Sequence, residues 1–478
     1  MSKGLLKTVL PITLIVALAV ALPLAGGCLR PAPPEVAPPE VAPPEVAPPE
    51  VAPPEVAPPE EVEPWVLGYI GAFDTDVGKS ALRGTDIAVE EINAAGGLLG
   101  RPIVVVRADS AEDTLEGIKA MEYLNEVAKV DFMVSGSVDD VSIAWMPRLK
   151  EYKIPLMETW TSAIRCIELV HNEYDDYKSY FMNHMNDYDQ GAEYVAFAAD
   201  ILAGEKGWDT CVIFFEDTAY GGGVAEYVRD EIAPGAGIEV IGEVMYDIDT
   251  KDFAPVFASI EDYNPDFIFH ISSVNCVPPS AAYIELEVPL PITGVNVAAA
   301  SAEFWDDMGG MAGGFSSISP PPAIGMDWDP PTQAFIDKYQ AKYASRPIFP
   351  HFNGFNAYWG VYKMVWAAER AGGFEPLDAW VTEMEKTDFK LWRYGGFERN
   401  DDLSPTGEDI IWQYYKFYGP EHPYTHSSVL DTTGENGRPG GVVMQWGLEE
   451  QTPVQETVRI IHPPRWRNGD YILPAHLQ

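Results

Sequence analysis

From Trp65 onward, apolar residues recur in two alternating rhythms. Short β-branched and aromatic runs (WVLGYIGAF, PIVVVRAD, VDFMVSG, IPLMET) are separated by segments whose apolar residues return every three or four positions, as in ALRGTDIAVEEINAAGG, Thr114 to Ala128, and VSIAWMPRLKEY. The first rhythm predicts strands and the second helices, so the chain reads as repeated βαβ units. The alternation continues with helix QGAEYVAFAADILAG, strand TCVIFFED, helix GGGVAEYVRDEIA, strand EVIGEVMY, helix FAPVFASIEDY and strand DFIFHISS. Near-continuous apolar strands predict parallel sheets covered on both faces, an α/β architecture. Two successive series, about ten strands in all, predict two doubly wound lobes rather than one sheet. Ligands of such sheets bind beyond the carboxyl ends of the strands, which directs attention to the loops there. SISPPPAIGMDWDPP predicts a loop, followed by helices TQAFIDKYQAKY and FNGFNAYWGVYKMVWAAERAGG; short strands and turns are expected from Trp392 to Gln478.

Ahead of Trp65 the pattern changes in kind. Lys3 and Lys7, an apolar core from Val9 to Leu24 and small residues before Cys28 predict an export leader. Proline recurs from Pro31 to Pro64, interleaved with glutamate, so neither helix nor sheet can form there. At roughly 3 Å per residue this polyproline spacer reaches about 100 Å, and its charges keep it extended.

Charge narrows the range of partners. The chain carries 73 acidic against 31 basic residues, a formal net charge of −42. Removal of residues 1–27 takes Lys3 and Lys7 and no acidic group, so the exported chain is more acidic still. Such a chain is not expected to bind nucleic acid or to lie flat on anionic lipid. Beyond Cys28 the cysteines are Cys166, Cys211 and Cys276, which allow at most one disulfide.

The sequence LAGGC, ending in Cys28, resembles a bacterial lipoprotein signal. That resemblance implies a signal peptide over 1–27, an acylated Cys28 and a tether over 28–64; an uncleaved anchor helix would give the same topology. GRPIVVVRAD preceded by AVEEINAAGGLLG resembles the opening of type I periplasmic solute-binding proteins, the branched-chain amino acid (Leu/Ile/Val)-binding family of ABC importers. VSGSVDD, IPLMETWTS, NDYDQGAEY, VIFFEDTAYGGG, DTKDFAPVFASIEDYNPDFIF, FNGFNAYWGVYKMVWAAERAG and VRIIHPPRWRNGDYILP follow in the family's order. The resemblance implies two Rossmann-like lobes joined by a three-crossing hinge that closes around a ligand. Residues 65–186 plus 319–372 would form the first lobe, and 187–318 plus 373–478 the second lobe with its C-terminal tail.

The same resemblance assigns candidate contacts. The family holds its ligand's carboxylate at two first-lobe loops, here GSVDD (136–140) and ETWTS (158–162), each where a strand meets a helix N-terminus. Thr161 and Ser162 match the residues that contact both charged ends of an amino acid. Asp139 falls where amino acid-binding members carry serine and would repel a carboxylate; a one-residue slip would bring Ser137 there instead, and Asp139 or Asp140 would serve equally well as a helix cap. Trp160 is a candidate stacking wall, Tyr220 matches a tyrosine facing the cleft from the second lobe, and Ser273 or Asn275 would donate into it. Asn296 occupies the place of the acidic group that holds an ammonium. Phe73 and Phe352 are candidate walls, each equally suited to the core.

Hydrolase, zinc-protease, Walker and dinucleotide motifs are missing from the sequence, so a binding protein is expected rather than an enzyme, with no cofactor. His422 and His426 have metal-compatible spacing, but Pro423 lies between them and no second cluster follows, which favours a loop pair. The resemblance implies a monomer that delivers a small polar solute, an amino acid or a related amide or aromatic compound, to ABC permease and ATPase subunits, tethered by lipid at the extracytoplasmic face. The alternative is a sensory or regulatory ligand-binding protein of the same fold.

Overall fold

The computed structural model describes residues 62–478 apart from 321, 327–329, 344–348, 393–395, 399–410, 430–440, 450, 452–453 and 465. The leader, Cys28 and the spacer up to residue 61 lie outside the described residues.

Five strands, β1 (Trp65–Gly71), β2 (Ile103–Asp109), β3 (Phe132–Gly136), β4 (Leu156–Glu158) and β5 (Tyr180–Met182), form one sheet in the order β2-β1-β3-β4-β5. All four pairings are parallel, with Leu67 opposite Phe132 and Met133 opposite Leu156. A second sheet contains β6 (Thr210–Glu216), β7 (Glu239–Tyr246), β8 (Phe267–Ser272) and β9 (Ile292–Asn296), in the order β7-β6-β8-β9 and again all parallel. Every residue of β3, β8 and β9 is buried, as expected for strands covered on both faces. In the order β2-β1-β3 successive strands are added first to one side of β1 and then to the other, so the strand order reverses between β1 and β3, where doubly wound sheets open a crevice.

The helices Asp76–Ala94 and Phe352–Ala371 pack against each other beside the first sheet. Their crossing is close because Gly84 has no side chain: a Cβ there would lie 2.1 Å from the Gly354 carbonyl oxygen. This approach sets the start of the second helix, and with it Phe352, at the edge of the first sheet.

Two small antiparallel sheets complete the molecule. β10 (Ser316–Ser319) pairs with β14 (Val442–Trp446), which pairs with β15 (Val458–His462). Trp446 Nε1 donates to the Ala299 carbonyl at 2.8 Å, tying this sheet to the second lobe. The other joins β11 (Asp388–Trp392), β12 (Gly396–Glu398) and β13 (Ile411–Lys416) in the order β12-β11-β13.

The expected partition gave everything after 373 to the second lobe, yet several aromatic residues beyond it touch strands of the first sheet. Phe374 stacks on Phe132 of β3 at 4.2 Å, Phe181 of β5 meets Trp380 and Phe417 edge-on, and Met182 bridges Ser427. Phe374, Trp380 and Phe417 thus bury their rings against β3 and β5. Cys166, Cys211 and Cys276 are all buried free thiols.

Candidate functional site

A recess with ≈ 430 Å³ of atom-free space, part of it open to solvent, lies between the carboxyl edges of the two sheets. It is lined from the first lobe by Val138, Asp139, Trp160, Ser162, His184 and Phe352, and from the other side by Gln190, Tyr220, Ser273, Val295 and Val297, with Met185, Ile318 and Pro320 at the connections. Six of the ten expected contacts therefore meet here: Asp139, Trp160, Ser162, Tyr220, Ser273 and Phe352.

The first-lobe wall is a set of carboxylates that consume their own loops' donors. Asp139 begins the helix Asp139–Tyr152 without capping it, since Val138 is the N-cap residue. Its Oδ1 accepts from the Thr161 hydroxyl at 2.6 Å and the Ser162 amide at 2.9 Å. The Ser162 hydroxyl bridges onward, 2.8 Å from Asp187 Oδ1 and 3.4 Å from Asp139 Oδ2. Asp187 also accepts from the Ile164 amide at 3.2 Å. Glu158, at the end of β4, turns inward: its Oε1 accepts from the amides of Thr159, Trp160 and Thr161, and its Oε2 from the Ser142 hydroxyl. Donors expected to meet a ligand's carboxylate are thus engaged by the protein's own acids.

Burial raises the pKa of each acid because water no longer solvates the charge. Asp139 is pushed up to about 6, with its Thr161 and Ser162 hydrogen bonds pulling the other way. Glu158 rises to about 7, and Asp187 moves well above the usual range through burial and the adjacent Asp139. His184, stacked on Phe352 with ring centroids 5.1 Å apart, is held near 3 by burial and the neighbouring His351, so it is neutral at pH 7.

The second-lobe wall follows the same rule. Glu216, ending β6, gathers the amides of Ser273, Val274 and Asn275 together with the Ser273 hydroxyl at 2.7 Å. Tyr220 donates its hydroxyl to Gln190 Oε1 at 2.9 Å, which fixes the ring against the recess. Among the bonds that cross between lobes are those from the Ala219 amide to Asp140 Oδ2 at 3.1 Å and between His351 Nε2 and the Val297 carbonyl at 3.4 Å. Ala219 is the first residue of its helix, so the acid meets the positive end of the helix dipole.

Four expected contacts lie elsewhere. Phe73 is half-buried, stacks on Tyr69, and donates its amide to Asp109. Ser137 is buried and accepts from the Ser135 hydroxyl behind the wall. Thr161 is buried and reaches the recess only through Asp139. Asn296 caps the short helix Val297–Ala300 by accepting from the Ala299 amide, and donates to Ser280; its neighbours Val295 and Val297 line the recess because alternate residues face opposite ways. Asn275 likewise donates its side chain to the Ile248 carbonyl. His422 stacks on Tyr418 and His426 on Phe181, and among the described residues no group of His, Cys, Asp or Glu is arranged to hold a metal. Sequence reasoning missed Asp187, His184, Met185 and Gln190, although Asp187 and Gln190 sit inside the block NDYDQGAEY.

The sheets, the crevice and the order of blocks point to one family, and a model described as periplasmic binding protein matches residues 65–408. The chain belongs to the periplasmic binding protein family. It is 24% identical over 317 residues to the Leu/Ile/Val-binding protein homolog 8 of Brucella abortus (strain 2308), covering 63% of this chain and 74% of that one. Among solved folds, it superposes with a TM-score of 0.63 at 18% identity on a branched-chain amino acid transporter substrate binding protein from Streptococcus pneumoniae in complex with isoleucine, covering 84% of this chain and 100% of that one. A solute binding protein of an ABC transporter from R. palustris in complex with benzoate gives a TM-score of 0.61 at 15% identity, covering 80% and 93%. As a periplasmic binding protein fold, the chain places its recess at the carboxyl edges of its two parallel sheets.

Proposed function

We propose that this protein is a solute-binding component of an ABC importer, which captures a small polar solute between its lobes by hinge closure and passes it to a membrane permease. The observation that carries this reading is the aromatic-lined recess between the carboxyl edges of two parallel sheets, with contacts from both lobes. Residues 65–186, 319–372 and 374–429 form the first lobe in this reading, and 187–318 with 442–478 the second. Acylated Cys28 and the proline-glutamate spacer hold the lobes at the extracytoplasmic face, within reach of the permease. Asp139, Trp160, Ser162, Tyr220, Ser273 and Phe352 are the ligand-contacting residues, with His184, Met185 and Gln190 added by the geometry.

The test is mass spectrometry of small molecules released when the purified full chain is denatured, paired with thermal melts across amino acids, amides, amines and aromatic acids. A stoichiometric released solute that also raises the melting temperature supports capture. Melts that stay flat across every class, with nothing released, refute it.

A further inference from the structure

Asp139 lines the recess, and Glu158, Asp187 and Glu216 are bonded to the loops that form its walls. Neither Lys nor Arg lines it, and the same is true of the adjoining recess of ≈ 660 Å³ at its mouth, which shares Trp160, Ser273 and Val297 with it. Most loop donors that could meet an incoming carboxylate are already engaged. Asp139 holds the Ser162 amide and the Thr161 hydroxyl, Glu158 holds three consecutive amides, and Glu216 holds the Ser273 amide and hydroxyl. Asp139, Glu158 and Asp187 are buried, and among the described residues none of them is ion-paired. A buried carboxylate without a counter-charge is costly, and a partner cation removes much of that cost.

Acids also line the mouth: Asp76, which is 4.0 Å from Lys79, Glu112 and Asp307. Glu112 is placed there by two consecutive left-handed residues, Ala111 at φ 50° and Glu112 at φ 53°, a conformation non-glycine residues adopt at a cost. Val138, Trp160, Met185, Tyr220, Val295 and Phe352 give the walls an apolar and aromatic part suited to the body of a cation.

We propose, building on the capture reading above, that the ligand is a small organic cation whose ammonium group pairs with Asp139 while its apolar part lies among Trp160, Tyr220 and Phe352. Free amino acid carboxylates and aromatic acids are excluded by the same carboxylates that attract the amine. Asp76, Glu112 and Asp307 draw the cation toward the mouth, so its approach is electrostatically assisted.

The experiment uses the full chain purified in detergent. Thermal melts and calorimetric titrations compare choline with its neutral isostere 3,3-dimethylbutan-1-ol, and isopentylammonium with leucine, which differs from it by the carboxylate; benzoate is included. The expected result is a melting shift with one or both cations and none with their counterparts. Asp139→Asn should weaken the cation at least about tenfold, the range of a hydrogen bond to a charged group. Should that variant fail to fold, the wild-type chain still decides the matter, because cation affinity must fall as pH is lowered from 7.5 to 5 and Asp139 takes up its proton. Asp140, Glu158, Asp187, Cys166 and Tyr220 face Asp139 from its own helix and from neighbouring elements; Glu158, raised to about 7, takes up its proton in the same direction, while the thiol and the phenol, pushed up further by burial, stay protonated throughout. Stabilisation by leucine, benzoate or the alcohol equal to that by the amines overturns the cation assignment and leaves capture standing. Silence from every compound, with no solute released on denaturation, overturns both.

Discussion

Replacing Glu158 with glutamine tests whether the acids beneath the recess are held at a cost. The wild-type carboxyl is fully buried and its pKa is raised from 4.5 to about 7, with burial outweighing hydrogen bonds from the loop amides and from serine hydroxyls. Below the unfolded value both states are protonated and the group contributes nothing unfavourable. Between 4.5 and about 7 the unfolded chain gives up the proton while the folded chain keeps it, so stability falls as pH rises. At 1.36 kcal/mol per pH unit, the displacement costs about 3 kcal/mol by the time pH passes the folded value. Glutamine keeps an acceptor for the amides of Thr159, Trp160 and Thr161, and the Ser142 hydroxyl can rotate to accept from its amide nitrogen. Urea denaturation at steps from pH 4.5 to 7.5 provides the assay. The wild-type chain should lose stability across that range, and Glu158→Gln should lose about 3 kcal/mol less. A wild-type stability that rises with pH, or a variant whose slope equals the wild type's, would show that Glu158 is not held protonated by burial.

Trp160→Ala should weaken ligand binding at least about tenfold while leaving the unliganded melt within a few degrees, because the ring faces the recess rather than a sealed core; unfolding of this variant would assign the ring to the core. Asp140→Ala removes one of the bonds between the lobes, that from the Ala219 amide, so small-angle scattering should report a larger radius of gyration without ligand, and an unchanged profile would mean the contact does not hold the lobes together. Gly84→Ala places a Cβ 2.1 Å from the Gly354 carbonyl oxygen and should destabilise by about 2 kcal/mol or more, read by urea denaturation; a neutral result would mean the two helices separate freely. Tyr220→Phe loses the bond to Gln190 and should cost about 1 kcal/mol of stability with ligand affinity little changed, whereas an equally stable variant would show that bond to be idle.

Much of the architecture was readable from periodicity. Strands such as VDFMVSG and DFIFHISS are apolar at nearly every position, which only a sheet covered on both faces requires, and both appear as β3 and β8. The end of each strand also marks its loop, and the family resemblance picked Asp139, Trp160, Ser162, Tyr220 and Ser273 out of those loops. What their side chains face was not readable. Ser162 and Thr161 look like free donors in one dimension, and only the folding of Asp139 and Asp187 against them shows that both hydroxyls are engaged. The placement of Phe374, Trp380 and Phe417 was equally hidden, since an aromatic-rich stretch can bury its rings on either lobe.

By itself the sequence determined the apolar periodicity that commits each segment to strand or helix, the proline spacing that denies residues 31–64 either form, and the excess of acidic charge. These are local or additive properties, readable without knowing any neighbour. Tertiary structure alone decided that the recess is acidic without being cationic anywhere, that Asn296 caps a helix, and that Phe374, Trp380 and Phe417 belong with β3 and β5. Each of those depends on contacts between residues far apart in the chain: Ser162 beside Asp139, Glu216 beneath Ser273, Phe374 over Phe132. A hydroxyl's availability is a property of what lies across from it, and the chain's linear order does not specify that.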